Sequence, residues 1–472
     1  MMQSGMDDNW LYHFRFTTEP HKSAAVKLFY IALGHLSSLL GFQPEAAYQL
    51  SRWILGLTVL WSIFLLFKNI FGTRLLFWCA FILCVMGSGL GWLQLLTGWI
   101  PGRVTPIDYW LIDAYVFFSI SMFPHFSFII CLLSLCLLLY YKFLEKERYS
   151  LIFGIVIAMW LVQLVNPITP LVIDVTILIT TIMFRREKTD RSVKHIIGLA
   201  AIFLGQLPLL IYNFLVLTTW SVWSQFTVQN LTLSPSPLYY LWGFALFWPF
   251  VVVGFWIAIR KKDPNLIGLG SWILFAFLMA YAPLGIQRRF LLGITVPLAA
   301  LAVQGLAYCV DCLAGKSLFF EKHKVSIYIL FVFFTSLSSI YLSIGNSMVM
   351  KSRPAEYFYS SSLDPALLWL GENVSRDEFV LASPDTSLLI AQRSGLKVYL
   401  GHEMETLFFE QKLESVTKGY QSNLPFSFLS DLPVQWVVYG PLEQNLTEYF
   451  VPGDNLRLRF QNEDVRVYRI SD

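Results

Sequence analysis

The sequence predicts an α-helical polytopic membrane protein with a small α/β domain at its C-terminus. Three observations carry this. The chain is 56% hydrophobic and only 14% charged, with a mean hydropathy of +0.58, a composition foreign to soluble proteins of this length. Lysine and arginine gather in the short loops Lys68–Arg74, Lys142–Arg148, Arg185–Lys194, Arg260–Lys262 and Lys316–Lys324, whereas the intervening loops hold Arg103, Arg288 and Arg289. After Met350 the composition turns ordinary, with normal charge density and short alternating patterns.

A span needs about 20 apolar residues. Ten spans are read, at 46–67, 75–90, 124–141, 150–165, 169–184, 196–216, 237–259, 265–283, 290–310 and 325–346, several of them short, which points to local thinning or buried breaks. The basic loops alternate with the others, so they are assigned to the cytoplasm and the longer loops to the far side. Residues 1–45 then fall outside, with no span before them. Either the chain starts at an internal methionine and a first span precedes it, or this is an N-out start. Residues 24–41 read as an interfacial amphipathic helix, and Pro44 opens the first full span. In the loop 86–122, Gly87-Ser-Gly-Leu-Gly91 breaks the chain, and Trp92, Trp99, Tyr109 and Trp110 suit the headgroup layer. Asn166-Pro-Ile-Thr-Pro170 makes a tight outer turn, and residues 217–236 another outer loop.

Residues 351–472 form the α/β domain. Strands are expected at Glu378–Ala382, Val398–Leu400, Val434–Tyr439, Leu456–Phe460 and Val465–Ile470. Helices are expected at Pro365–Val374, Ser387–Arg393 and Thr406–Lys418. The resulting domains are an outer loop with its interfacial helix (1–45), the membrane bundle (46–350) and the outer domain (351–472). A net charge of +3 gives no case for nucleic-acid binding. All six cysteines (Cys79, Cys84, Cys131, Cys136, Cys309, Cys312) lie in or beside spans, so no disulfide framework is available outside. Cys309-x-x-Cys312 is a redox or metal half-site, or apolar filler.

Few polar residues on the outer side can carry chemistry. Acids there are Asp7, Asp8, Glu19, Asp108 and Asp113. Partial burial near the interface raises a carboxylate's pKa and suits it to general-base work, although each can equally be a solvated loop acid. Thr18-Glu19-Pro20-His21 sets an acid and an imidazole beside a stiff proline, to orient a base, hold a metal or cap a turn. His125 stands at a span mouth behind Pro124. Gln287-Arg288-Arg289 ends a span on the outer face, against the charge bias, and paired arginine forks suit a lipid phosphate; snorkelling needs only one. Asp174 lies inside a span, with Gln163 and Asn166 as partners, and is either functional or a structural hydrogen-bonding group.

As a set, these pieces resemble bacterial GT-C-type membrane glycosyltransferases, which use polyprenyl-phosphate sugars. The resemblance rests on Asn9-Trp-Leu-Tyr-His13, Thr18-Glu-Pro-His21, Phe123-Pro-His-Phe126, Asn166-Pro167, Ser234-Pro-Ser-Pro237 and Tyr281-Ala-Pro-Leu-Gly-Ile-Gln-Arg-Arg-Phe290. In the outer domain it continues through Trp369-Leu370, Leu381-Ala-Ser-Pro384, Arg393-Ser-Gly395, Val398-Tyr-Leu-Gly-His402 and Val438-Tyr-Gly-Pro441. It implies a multi-pass protein of the bacterial cytoplasmic membrane with an extracytoplasmic C-terminal domain. The implied reaction moves a hexose or pentose from a polyprenyl-phosphate carrier to a glycan, lipid or protein acceptor outside. Glu19, Asp8 and Asp113 are the acids to test as base. Arg288, Arg289 and Gln287 are the phosphate-binding residues, and His21, His125 and Asp174 further polar candidates; a divalent metal stays open. The family's usual aspartate, just after its first span, would lie ahead of Met1. The rival readings are a lipid-linked glycan flippase and a non-catalytic GT-C-like protein. Transport would favour repeated halves and paired mid-membrane polar residues, and the sequence has no repeat.

Overall fold

The computed structural model describes residues 1–98, 105–187, 193–352, 358–448 and 450–471. Trp99, Arg103, Lys188 and Arg191, used in the charge and interface arguments, lie outside the described residues. The chain opens with α1 (Met2–Met6) and α2 (Leu28–Leu40) and continues with α3 (Pro44–Ile70), where Pro44 takes the first-turn position that needs no N–H donor. Next come α4 (Arg74–Met86), α5 (Gly91–Thr97), a 3₁₀ turn at Ile107–Tyr109, α6 (Val116–Ser121) and α7 (Pro124–Lys146). They are followed by α8 (Tyr149–Gln163), α9 (Pro170–Glu187), α10 (Val193–Thr219, with Pro208 inside it) and α11 (Ser221–Gln229). Then follow α12 (Pro237–Gly243), α13 (Trp248–Lys261), α14 (Pro264–Met279), a 3₁₀ turn at Gln287–Leu291, α15 (Thr295–Ala314), α16 (Leu318–Lys322) and α17 (Lys324–Ser352).

Each of the ten expected spans is met by a helix or a bent pair. Among the described residues, five helices are long and apolar enough to cross a membrane alone, or up to seven if each bent pair is one span. Two expected spans are not continuous. The run at 75–90 stops at Met86 and resumes as α5 at 64°, and the run at 237–259 breaks between α12 and α13 at 89°. The second break has a local cause. Pro249 sits in the first turn of α13, where it cannot donate back to α12 and restricts the residue before it.

The chain divides into two compact units, Phe42–Asn213 with Thr232–Val349, and Met1–Gly41 with Phe214–Leu231 and Met350–Asp472. In the helical unit, backbones approach closely at small residues. A Cβ on Gly254 of α13 would lie 2.0 Å from the Leu301 carbonyl of α15, and one on Gly305 would lie 1.9 Å from the Phe250 carbonyl. Without a hydrophobic drive between helices in lipid, such contact is what holds them together. All six cysteines are free thiols.

The other unit holds α18 (Leu363–Asn373), β1 (Phe379–Leu381), α19 (Pro384–Leu389), β2 (Lys397–Val398), α20 (Phe409–Gln421), α21 (Phe426–Leu429), β3 (Trp436–Tyr439), β4 (Leu456–Gln461) and β5 (Arg466–Ile470). The sheet order is β2-β1-β3-β5-β4, parallel among the first three and antiparallel across β3-β5-β4. Strand alternation splits the core. Val380, Val398, Val438 and Val467 meet Leu363, Leu367 and Leu370 of α18, while Leu381, Val437 and Tyr468 meet Val416 and Tyr420 of α20.

The first 41 residues pack on this domain. Val398 donates its N–H to the Arg15 carbonyl at 2.8 Å, which covers the β2 edge. Glu405 takes the Tyr12 hydroxyl and, at 3.0 Å, the Lys27 ammonium. From α11, Gln229 Nε2 donates to the Thr406 carbonyl at 2.7 Å and Asn230 Nδ2 to the Met404 carbonyl at 2.7 Å.

This packing is expected to weaken in acid. His13 stacks on His21 at 3.9 Å, and burial, with the charges of His21, Lys397 and Arg15, pushes its imidazole down from 6.5 to about 4. The unfolded state therefore binds more protons between those values, and stability falls as pH drops across that window. Burial opposes the Glu405 charge, but Lys27 and Tyr12 outweigh it and hold the carboxyl below 4.5. Its contribution is full above 4.5 and is lost as pH falls through the folded value. Hydrogen exchange should show protection of residues 12–24 declining from about pH 6.5 downward, and Glu405→Gln should remove the most acidic part of that decline. Protection that stays level to pH 4 contradicts this.

Candidate functional site

Two loops of the helical unit build one cluster. Thr232 donates its N–H to the Gly285 carbonyl at 2.6 Å, and Arg288 donates its N–H to the Thr232 carbonyl at 3.1 Å. Gln287 fastens the same loops with its side chain: Oε1 accepts from the Ser234 N–H at 2.9 Å, and Nε2 donates to the Ala282 carbonyl at 2.7 Å. Tyr281 adds a hydroxyl bond to the Pro235 carbonyl at 2.8 Å. Prolines at 235 and 237 stiffen this strap. Arg288 and Arg289 therefore leave a braced backbone.

The two arginines differ. Arg289 donates from Nη1 to Asp113 Oδ1 at 2.9 Å, with the Asp113 side chain 8% exposed, and its guanidinium lies 5.7 Å from the Phe126 ring. Arg288 lies 5.7 Å from the Trp110 ring, and its Nε is buried with no hydrogen-bond partner among the described residues. A buried N–H left unpaired costs free energy, and a guanidinium fork is shaped for a bidentate anion. Arg288 is thus the cation with bonding capacity to spare, and Arg289 is neutralised in place.

Asp113 and Trp110 are held by the loop before α6. Asp108 accepts the N–H groups of Gly89 at 3.1 Å and Gly91 at 3.0 Å. Burial pushes its carboxyl upward, opposed by these bonds. A Cβ on Gly91 would come within 2.7 Å of that carboxylate, so the glycine allows the closure. Trp110 Nε1 donates to the Thr105 carbonyl at 3.0 Å, and Tyr115 donates its hydroxyl to the Gly243 carbonyl at 2.7 Å.

The structure thus brings together Asp113, Gln287, Arg288 and Arg289. His125 enters the first turn of α7 beside Phe126, ring to ring at 4.3 Å. Asp174 is held elsewhere in this unit: Gln206 Nε2 donates to its Oδ1 at 2.8 Å, and Gln163 reaches it only through Gln206, at 3.3 Å. Asn166 instead accepts the Ile168 N–H at 3.4 Å and belongs to the turn.

Glu19, His21 and Asp8 belong to the other unit. Glu19 is bonded by the Thr17 hydroxyl and by Lys412 at 2.9 Å. Burial works against its charge, but these partners outweigh it and keep the carboxyl below its ordinary value, opposite to the elevation a buried base would need. His21 Nε2 accepts the Phe14 N–H at 3.0 Å, and Nδ1 faces the Glu19 carbonyl at 2.7 Å, so both ring nitrogens are engaged. The Asp8 side chain is almost fully exposed, 3.5 Å from His35. Among the described residues, no three His, Cys, Asp or Glu side chains gather to hold a metal ion.

Sequence reasoning put no functional weight on Trp110, which read as a headgroup anchor, and counted Asp108 only among the outer acids. It missed Gln206, Glu405 and Lys412. The Gly87–Gly91 run was a legible sign of close backbone approach; the distant partners had no local signal.

No protein-family profile matches the sequence, and no curated protein does. Among solved structures the chain is similar to ArnT from Cupriavidus metallidurans bound to undecaprenyl phosphate, with 12% identity and a TM-score of 0.55 over 99% of this chain and 91% of that one. It is also similar to the oligosaccharyltransferase AglB from Archaeoglobus fulgidus, in complex with an inhibitory peptide and a dolichol-phosphate, with 12% identity and a TM-score of 0.53 over 94% of this chain. It spans 65% of that longer protein. The fold is therefore that of the GT-C membrane glycosyltransferases, and the chain is a multi-pass membrane protein.

Proposed function

We propose that the protein is an integral membrane glycosyltransferase that moves a sugar from a polyprenyl-phosphate carrier to an extracytoplasmic acceptor, with the basic loops on the cytoplasmic side. The observation that carries this reading is the Arg288 guanidinium, poised over Trp110 with a buried, unpartnered Nε, beside an arginine already neutralised by Asp113. In the reaction, an acceptor oxygen bonds to the anomeric carbon as the bond from that carbon to the phosphate oxygen breaks. The bonding electrons leave on the phosphate, where Arg288 meets the growing charge. Asp113 Oδ1 positions Arg289, and Oδ2 takes the acceptor proton.

The full chain in lipid nanodiscs, given undecaprenyl phosphate carrying a labelled hexose or pentose and a hydroxyl-bearing glycan or lipid acceptor, is expected to move the label to the acceptor and release undecaprenyl phosphate. Passage of the intact sugar-lipid between leaflets of proteoliposomes without cleavage would instead favour a flippase. Gln287 serves this site as a positioning residue, since both ends of its amide are spent on the strap. Gln287→Met should weaken undecaprenyl phosphate binding about ten-fold, and adding Arg288→Ala should cost far less than it does in the parent protein. Additive losses would show that Gln287 acts independently of Arg288.

A further inference from the structure

A second site lies on the lipid-facing side of the helical unit. Between α4 and α17 runs an open groove of about 450 Å³ with almost purely apolar walls. Trp78, Ile82 and Met86 line one wall at four-residue intervals, and Tyr328, Val332 and Ser336 the other. Ser336 spends its hydroxyl on the Val332 carbonyl at 2.8 Å, so it adds no polar demand. Each wall is one ridge of its helix. Continued one step back, the first ridge begins at Arg74 and the second at Lys324, the first residues of α4 and α17.

The two helices are tied at the far end. Ser88, just past α4, donates its N–H to the Thr335 carbonyl of α17 at 2.6 Å, and Trp92 donates its N–H to Ser338 Oγ at 2.9 Å. The groove therefore has a basic mouth, and its two walls are tied together at the other end. From Leu75 to Met86 the helix rises about 16 Å, roughly the hydrocarbon depth of one leaflet. Lys324 contacts Asp311, while Arg74 is exposed and has no ion-pair partner among the described residues.

We propose that this groove holds one acyl chain of an anionic glycerophospholipid of the leaflet on the basic side, with the lipid phosphate at Arg74. An apolar slot one leaflet deep fits an acyl chain, and a cation at its mouth selects a negative headgroup over a zwitterionic one. The walls give no purchase to a soluble ligand.

The test is native mass spectrometry of the full chain, stripped of lipid in detergent and titrated with phosphatidylglycerol or phosphatidylcholine. The parent protein should retain one phosphatidylglycerol in preference to phosphatidylcholine. Arg74→Gln should weaken phosphatidylglycerol binding about five-fold and leave phosphatidylcholine unchanged. Ile82→Trp, which fills the slot, should abolish retention of both; if that variant does not fold, Ile329→Trp fills it from the opposite wall. Equal retention of the two lipids, no effect of Arg74→Gln, or lipid still held in the filled groove overturns the proposal. So does cross-linking of Cys79, which lines the groove, to a second protein chain that excludes lipid.

Discussion

Arg288→Ala is expected to lower sugar transfer a hundred- to a thousand-fold, about 2.7 to 4 kcal/mol of transition-state stabilisation. The size follows from where the charge goes. The phosphate carries more negative charge as it departs than it does in the bound donor, so a fixed cation beside it gains most at the transition state. Arg288 is fixed by the Arg288–Thr232 backbone bond and by the Gln287 brace, and its Nε has no partner among the described residues. Little rearrangement is required of it. Arg288→Lys should recover only part of the loss, because an ammonium is a point charge without the bidentate fork. Arg289→Ala should behave differently: it leaves the Asp113 carboxylate without its partner and should appear first as a loss of folded protein. Turnover measured in nanodiscs, beside thermal melting of each variant, separates these outcomes. Full activity in Arg288→Ala removes the phosphate-clamp account.

Asp113 should show two separable roles. Asp113→Asn keeps an acceptor for Arg289 but cannot take a proton, and should cut turnover at least a hundred-fold while undecaprenyl phosphate binding stays near the parent value. Asp113→Ala also frees Arg289 from its 2.9 Å anchor, and should weaken binding as well as turnover. The comparison is informative because the two substitutions differ mainly in the retained hydrogen bond. If Asn and Ala variants lose binding equally while the asparagine variant retains turnover, Asp113 is an anchor and the proton goes elsewhere.

How much of this was legible in the sequence depends on the range of the interaction. The multi-span body followed from hydropathy and the basic loops because every backbone group in lipid must be satisfied within its own helix. The strands of the C-terminal domain followed from their alternation, and all five appear within a few residues of their expected places. The break after Met86 was legible in Gly87–Gly91, whereas the one after Gly243 was hidden, because an apolar run reads the same whether straight or bent and only Pro249 hinted at it. The site was half legible. Arg288 and Arg289 stood out against the charge bias, yet nothing local told them apart, since the difference lies in Asp113, 176 residues away in sequence. Likewise Glu19 and His21 looked reactive side by side, but Lys412, 393 residues on, and the Phe14 N–H had already engaged them.

The central claim is that Arg288 receives the phosphate of a lipid carrier. A structure of the full chain in nanodiscs with undecaprenyl phosphate measures this most directly. The account predicts phosphate density within hydrogen-bonding distance of the Arg288 guanidinium and beside Trp110, with the Arg289–Asp113 pair intact. Phosphate bound away from residues 105–115 and 285–291, with Arg288 Nε still unpartnered, would contradict it.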